Sequence, residues 1–139
     1  MIKAHDIHKS YGDLEVLKGV SLEVKPSEVV SIVGPSGAGK TTLLQIIGTL
    51  SKMDSGTLKI DSEEVGKLGD DALSDFRNRK IGFVFQFHNL LPEFTALENV
   101  MIPALIAGRD KDKTEKEAKR LLDMMQLSER TTHKPAALS

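Results

Sequence analysis

Residues 29–47 read VVSIVGPSGAGKTTLLQII. Two apolar runs meet at a turn of small residues that carries a single cation. The first run, Val29 to Val33, is mostly β-branched and uncharged, the pattern of a strand buried on both faces. Beyond the turn, Leu43, Leu44, Ile46, Ile47 and Leu50 recur at helical spacing. A strand, a glycine turn and a helix in that order predict an α/β fold whose core sheet pairs in parallel.

The turn itself has a chemistry. Its residues GPSGAGKT fit the pattern G-x-x-x-x-G-K-[ST] at Gly34, Gly39, Lys40 and Thr41. A run of phosphates must be held without side-chain bulk. Gly37 and Gly39 can take backbone angles other residues avoid, so that successive N–H groups turn inward as an anion nest. A helix starting near Lys40 adds its dipole and unsatisfied donors. Lys40 can reach β- and γ-phosphates, the Thr41 hydroxyl can ligate Mg²⁺, and Thr42 can reach an α-phosphate. The nucleotide-binding residues read here are thus Gly34, Ser36, Gly37, Ala38, Gly39, Lys40, Thr41 and Thr42, with Lys40 as the catalytic cation.

Outward from the turn, residues 5–28 read as short strands, with turns at Tyr11-Gly12-Asp13 and Lys25-Pro26-Ser27. Val16, Val20, Leu22 and Val24 give a period-2 pattern. DSGTLKID (54–61) reads as a turn and strand, GDDALSDFRNRK (69–80) as a short polar surface helix, and KIGFVFQ (80–86) as another strand. TALENVMIPALIAG (95–108) is apolar and interrupted by Pro103. DKTEKEAKRLLDMMQL (112–127) predicts an amphipathic helix with Ala118, Leu121, Leu122 and Met125 on one face. In that helix Thr114 and Glu117 have capping-box spacing, and Asp112/Lys116 and Glu115/Lys119 stand at i,i+4. The boundary is placed at 86/87: a nucleotide-binding core with a β subdomain over 1–86, and a helical region over 87–139.

Bulk properties narrow the classes. The net charge is −1 over 139 residues, which argues against a general nucleic-acid binder. No cysteine is present, so disulfide scaffolds and thiolate metal sites are excluded. No secretory signal is evident, and NVMIPALIAG is about half the ~20 residues a bilayer crossing needs, so no direct membrane insertion is expected. His88 has no second ligand at useful spacing. A GTPase should show N-K-x-D and D-x-x-G, and neither occurs. A small-molecule kinase usually carries an arginine-rich lid, whereas Arg77, Arg79, Arg109, Arg120 and Arg130 are scattered.

The remaining features resemble the ATP-binding-cassette family. They are Tyr11 before Gly12, the GPSGAGKT loop, and GFVFQ ending in Gln86, in the family's order. GFVFQFHNLLPEFTALENVMIPALIAG looks like the lipoprotein-releasing branch, with the macrolide-exporter and cell-division branches as alternatives. The resemblance implies a P-loop (RecA-like) core with an N-terminal antiparallel β subdomain and the start of a helical subdomain. It also implies an ATP-hydrolysing subunit that pairs as a homodimer on the cytoplasmic face of the inner membrane, held there by membrane-spanning subunits. Tyr11 would stack on adenine with Val16 near the ribose, although a lone tyrosine there also reads as a surface strand residue. Gln86 would contact Mg²⁺ or the attacking water. Phe87, Asn89, Leu90, Leu91 and Pro92 would line the groove for a membrane subunit. Glu98 reads equally as a neighbour of that groove and as a helix N-terminal acid.

Leu138 and Ser139 match the opening of the family's signature motif, and the Gly-Gly pair, the Walker B aspartate, the catalytic glutamate and the switch histidine do not follow. The expectation is an N-terminal piece of a longer ATPase with an incomplete core sheet. Alone it would bind ATP weakly, hydrolyse it negligibly, and tend to dimerise, swap or lose stability through an open sheet edge.

Overall fold

The computed structural model describes residues 1–86 and 89–137. The readings at Phe87, His88, Leu138 and Ser139 lie outside the described residues. The chain forms two units, Met1–Ile81 and Gly82–Ser139.

The first unit is built on a long hairpin. Strands β1 (Ile2–Tyr11) and β2 (Leu14–Val24) pair antiparallel and are joined at Gly12-Asp13. Gly12, at φ 58°, supplies the positive angle that a two-residue hairpin loop needs at its first position. Strand β3 (Ser55–Ile60) pairs antiparallel with the other side of β1, and the short β4 (Glu63–Glu64) pairs with β3, giving the sheet order β2-β1-β3-β4. Helix α1 (Lys40–Ile47) buries Leu43 and Ile46, and helix α2 (Asp70–Lys80) buries Leu73 and Phe76. These side chains join Ala4, Ile7, Leu17, Leu58, Ile60 and Val65 in one core. Helix α2 carries Asp70 and Asp71 in its first turn and Arg77, Arg79 and Lys80 in its last, matching its dipole at both ends. Its polar composition predicted a surface helix, and Leu73 and Phe76 nonetheless anchor it in the core.

Several expectations need correction. Residues 29–33 form no strand: among the described residues every ladder is antiparallel and none includes this segment. Val29 is 97% exposed and Val33 85%, while Ile32 alone of the run packs on the core. A strand exists only where its N–H and C=O groups find a partner. Without one, β propensity does not suffice. The same holds for 80–86, where Lys80 ends α2, residues 81–86 join no ladder and Phe83, Val84 and Phe85 are exposed.

The period-2 reading of β2 holds from Val20 to Val24 and slips before it. The deepest residue is Leu17, at 2% exposure, with Val16, Val20 and Leu22 packed around it. Between the pairs Lys18–His8 and Val20–Ile7, β2 carries an extra residue, Gly19, at φ 79°. This bulge moves Leu17 onto the same face as Val20 and Leu22. A second bulge on β1, where Asp6 has φ 52°, brings Ile7 fully into the core beside Ala4.

In the second unit, helices α3 (Ala96–Ile106) and α4 (Lys111–Met124) pack together. Pro103 does not interrupt α3, which continues to Ile106. A proline removes one helical donor, and the flanking turns carry the helix past that gap. Helix α4 starts three residues before the predicted cap: Asp110 is the N-cap and accepts from the Lys113 N–H at 2.9 Å, leaving Thr114 buried inside the helix. Of its predicted apolar face, Ala118 and Leu122 are buried, while Leu121 and Met125 are largely exposed. Glu115 and Lys119 form their i,i+4 ion pair at 2.6 Å.

Two stability outcomes follow for the first unit. Ile7→Ala is expected to lower its unfolding free energy by about 2–5 kcal/mol, whereas Val29→Ala is expected to change it by less than about 0.5 kcal/mol. Urea unfolding of the two variants checks this. His8 stands 3.1 Å from Glu15 through Nδ1 and 3.2 Å from Asp6 through Nε2. The Glu15 carboxylate, opposed by desolvation and aided by Asp6, raises the imidazole above its ordinary value of 6.5. A raised folded-state value favours the imidazolium in the native state. Its stabilisation is complete below about 6.5 and disappears as pH rises through the raised value. His8→Gln is expected to flatten that part of the stability–pH curve in thermal melts.

Candidate phosphate-binding site

The loop from Gly34 to Thr42 leads directly into α1. It borders an open cavity of ≈ 230 Å³ lined by Val16, Ser36, Gly37, Ala38, Gly39, Lys40, Thr41 and Thr42. Gly37 and Gly39 both stand at φ 80°. Gly39 is constrained twice, because a Cβ there would meet Leu17 Cδ2 at 2.7 Å and the Val16 carbonyl oxygen at 3.1 Å. Gly37 has open space around it, so only its backbone angle calls for glycine.

The electrostatics favour an anion. Gly39 caps α1 with no side-chain hydrogen bond, and the first turn of α1 holds no acidic residue. Among the four α-helices described, α1 alone lacks both kinds of neutralisation. The start of α3 is the opposite case. Thr95 N–H donates to Glu98 Oε2 at 2.8 Å, Ala96 N–H to the His133 carbonyl at 2.8 Å, Leu97 N–H to that of Thr131 at 3.0 Å, and Glu98 N–H to Thr95 Oγ1 at 3.2 Å. All four orphan donors of that helix are thus used internally. The positive end of α1 faces the loop cavity with neither cap nor counter-charge, which is the arrangement that binds phosphate. Lys40 adds a cation. Its Nζ arches back along the loop, donating to the carbonyls of Gly34 at 2.8 Å and Pro35 at 2.7 Å. The Thr41 and Thr42 residues line the same cavity.

Of the other predicted site residues, Val16 is brought to the loop. It sits where β2 carries a further extra residue between the Lys9–Leu17 and Ser10–Glu15 pairs. Tyr11, half exposed at the end of β1, is not among the cavity-lining residues. The Lys9 ammonium lies 5.5 Å from its ring centroid, a cation–π distance. Asp54 holds that end of β1, accepting from Lys9 Nζ and from the Ser10 N–H at 2.7 Å each. Lys9 first, and then the Ser10 N–H, hold the Asp54 carboxyl below its ordinary range.

Gln86 lies on an exposed bend in the second unit, followed by exposed Asn89, Leu90, Leu91 and Pro92. Glu98 is a helix N-terminal acid. Its carboxylate accepts from the Thr95 N–H and hydroxyl at 2.8 Å each, completing a capping box, and those two donors hold it below its ordinary range. That box was legible in Thr95-Ala-Leu-Glu98, which fits the [ST]-x-x-[DE] pattern. Asp54 and the Gly34 and Pro35 carbonyls left no signal in the sequence, because they act through tertiary geometry.

Residues 17–139 match the family model described as ABC transporter. The chain belongs to the ABC transporter family. All of it aligns, at 58% identity, with a lipoprotein-releasing system ATP-binding protein, LolD, of Porphyromonas gingivalis, and at 60% with the LolD of Bacteroides fragilis. It spans 64% of the length of each of these curated relatives. Among solved structures, the ATP-binding cassette MJ0796, in a dimeric post-hydrolysis state bound to ADP and Pi, superposes on the whole chain with a TM-score of 0.90 at 42% identity. The chain covers 63% of that structure. The fold is therefore the α/β ATP-binding cassette, represented by its antiparallel sheet, phosphate loop and helices, with the core sheet incomplete.

Gly39→Ala is expected to weaken nucleotide binding at least tenfold, because the new Cβ collides with β2 and its backbone angle is strained. Gly37→Ala, strained but unobstructed, is expected to lose less. Titration with a fluorescent ATP analogue compares them.

Proposed function

We propose that this protein works as the ATP-binding subunit of a bacterial ABC transporter that drives release of lipoproteins from the inner membrane. The observation that carries the nucleotide part is the uncapped start of α1 opening into the cavity beneath the phosphate loop. The printed names of relatives 58–60% identical over the whole chain support the lipoprotein part.

In this reading the loop amides and Lys40 hold the β- and γ-phosphates, Thr42 the α-phosphate, and Val16 and Tyr11 the nucleoside. The described residues contain no group of three or more His, Asp or Glu side chains able to hold a metal. Mg²⁺ would arrive with the phosphates and take the hydroxyl of the cavity-lining Thr41 as a protein ligand. That is the usual economy of Mg²⁺ sites. Bound there, the ion would neutralise phosphate charge and polarise phosphoryl oxygens.

Among the described residues that line this cavity none is a carboxylate or imidazole, so the cavity lining itself supplies no general base. Residues 1–139 alone should therefore bind ATP weakly and turn it over negligibly, with hydrolysis belonging to the full-length homodimer. That missing base also favours a second reading, a nucleotide-binding chain that does not hydrolyse. The Gln86 to Pro92 segment is the contact for membrane-spanning subunits, which would hold the protein on the cytoplasmic face of the inner membrane. Among the described residues no helix is long and apolar enough to cross a membrane.

Nucleotide titration of the 139-residue chain and its Lys40→Ala variant is the direct test. Affinity should fall at least tenfold in the variant, and ATP turnover by the chain should be below a hundredth of that of a full-length homologue. Equal binding by the variant would sink the site assignment, and comparable turnover would sink the claim of inactivity.

A further inference from the structure

Asn99 makes more directed contacts than any other side chain described in the second unit. Its Oδ1 accepts from the Leu91 N–H at 2.8 Å. The two hydrogens of its Nδ2 are shared among the carbonyls of Leu91 at 3.1 Å, Phe94 at 3.1 Å and Thr95 at 3.0 Å. One side chain on the first turn of α3 thus binds both backbone groups of Leu91 and closes the turn from 91 to 95. The Phe94 N–H completes that turn by donating to the Leu91 carbonyl at 3.2 Å.

Helix geometry alone does not require this. Thr95, Glu98 and the carbonyls of Thr131 and His133 already satisfy the start of α3. Asn99 acts instead on the incoming segment. Only a short side chain carrying a donor and an acceptor at once can bind an N–H and a C=O of the same residue. Aspartate would keep the bond from the Leu91 N–H and lose every contact that Nδ2 donates. The turn so fixed leaves Leu90, Leu91 and Phe94 exposed by 41–45%.

We infer that Asn99 is a positioning residue for partner engagement: it holds the turn that carries Leu90, Leu91 and Phe94 in a fixed conformation, so that the membrane-spanning subunits meet a preformed surface. This rests on the proposed reading that the Gln86 to Pro92 segment is the contact for those subunits. Preformation matters because ordering a loop on binding weakens the complex.

The test uses the full-length protein reconstituted with its membrane-spanning subunits in proteoliposomes. Asn99→Ala is expected to leave ATP-analogue affinity and the basal turnover of the free subunit within twofold of wild type. Stimulation of turnover by the membrane subunits should fall at least tenfold. Amide exchange at Leu91 should quicken at least tenfold, and Asn99→Asp should fall between the two. Thr95→Ala serves as the control, since it removes the α3 cap and leaves the bonds to Leu91. If it loses stimulation as fully as Asn99→Ala, the effect is one of helix stability and the inference fails. Full stimulation of Asn99→Ala would also overturn it, as would unchanged exchange at Leu91. A wild-type protein that the membrane subunits neither bind nor stimulate would overturn the underlying reading and the inference together, and is told apart by its wild-type arm.

Discussion

The site depends on one close approach. The backbone of Gly39 passes so near Val16 and Leu17 that no side chain fits between them. Leu17 is at the same time a core residue, 2% exposed, packed in the cluster with Leu43 and Ile46 of α1. The phosphate loop is therefore held by the antiparallel hairpin below it and by the apolar face of its own helix. Of residues 29–33, only Ile32 packs on that core. This is how a loop that reads as the end of a parallel strand keeps its cradle while that strand has no ladder.

The hairpin in turn depends on its irregularities. A strict two-residue alternation along β2 would place Leu17 and Val20 on opposite faces. Gly19 adds one residue and brings them together, and Asp6 does the same for Ala4 and Ile7 on β1. Gly19 is also confined from outside, because a Cβ there would meet Asp6 Oδ1 at 2.8 Å. The bulges thus decide which residues form the floor beneath α1. The extra residue at Val16 carries that side chain to the cavity instead of to the pleat of a regular strand.

Local chemistry was the part most visible in the sequence. The phosphate loop, the Gly12 turn, β3, α2 and α4 each follow from a short-range rule, namely glycine angles, helical periodicity or turn residues. Family membership was legible as a resemblance, carried by Tyr11 before Gly12, the GPSGAGKT loop and GFVFQ ending in Gln86. What escaped were features set by partners distant in sequence. VVSIV and KIGFVFQ have the composition of buried strands, but pairing is a property of two segments and cannot be read from one. The bulges at Asp6 and Gly19 shift phase without changing composition. Asp110 displaced Thr114 as the cap of α4 because its carboxylate accepts from the Lys113 N–H, which starts the helix a turn earlier and leaves Thr114 inside it.

The two units use the same physical resource for opposite ends. Every α-helix presents several unpaired N–H groups at its start, and a fold must answer them with its own groups or leave them for a ligand. Helix α3 answers them with Thr95 and with the carbonyls of Thr131 and His133, so that its start becomes a rigid anchor for the chain entering it. Helix α1 begins on a glycine that has no side chain to offer, in a turn with no acid, beside a lysine. The uncapped start costs stability locally, and the core packing of Leu43 and Ile46 offsets that cost. An unanswered helix start set on a well-packed helix is what separates a binding site from a merely frayed end.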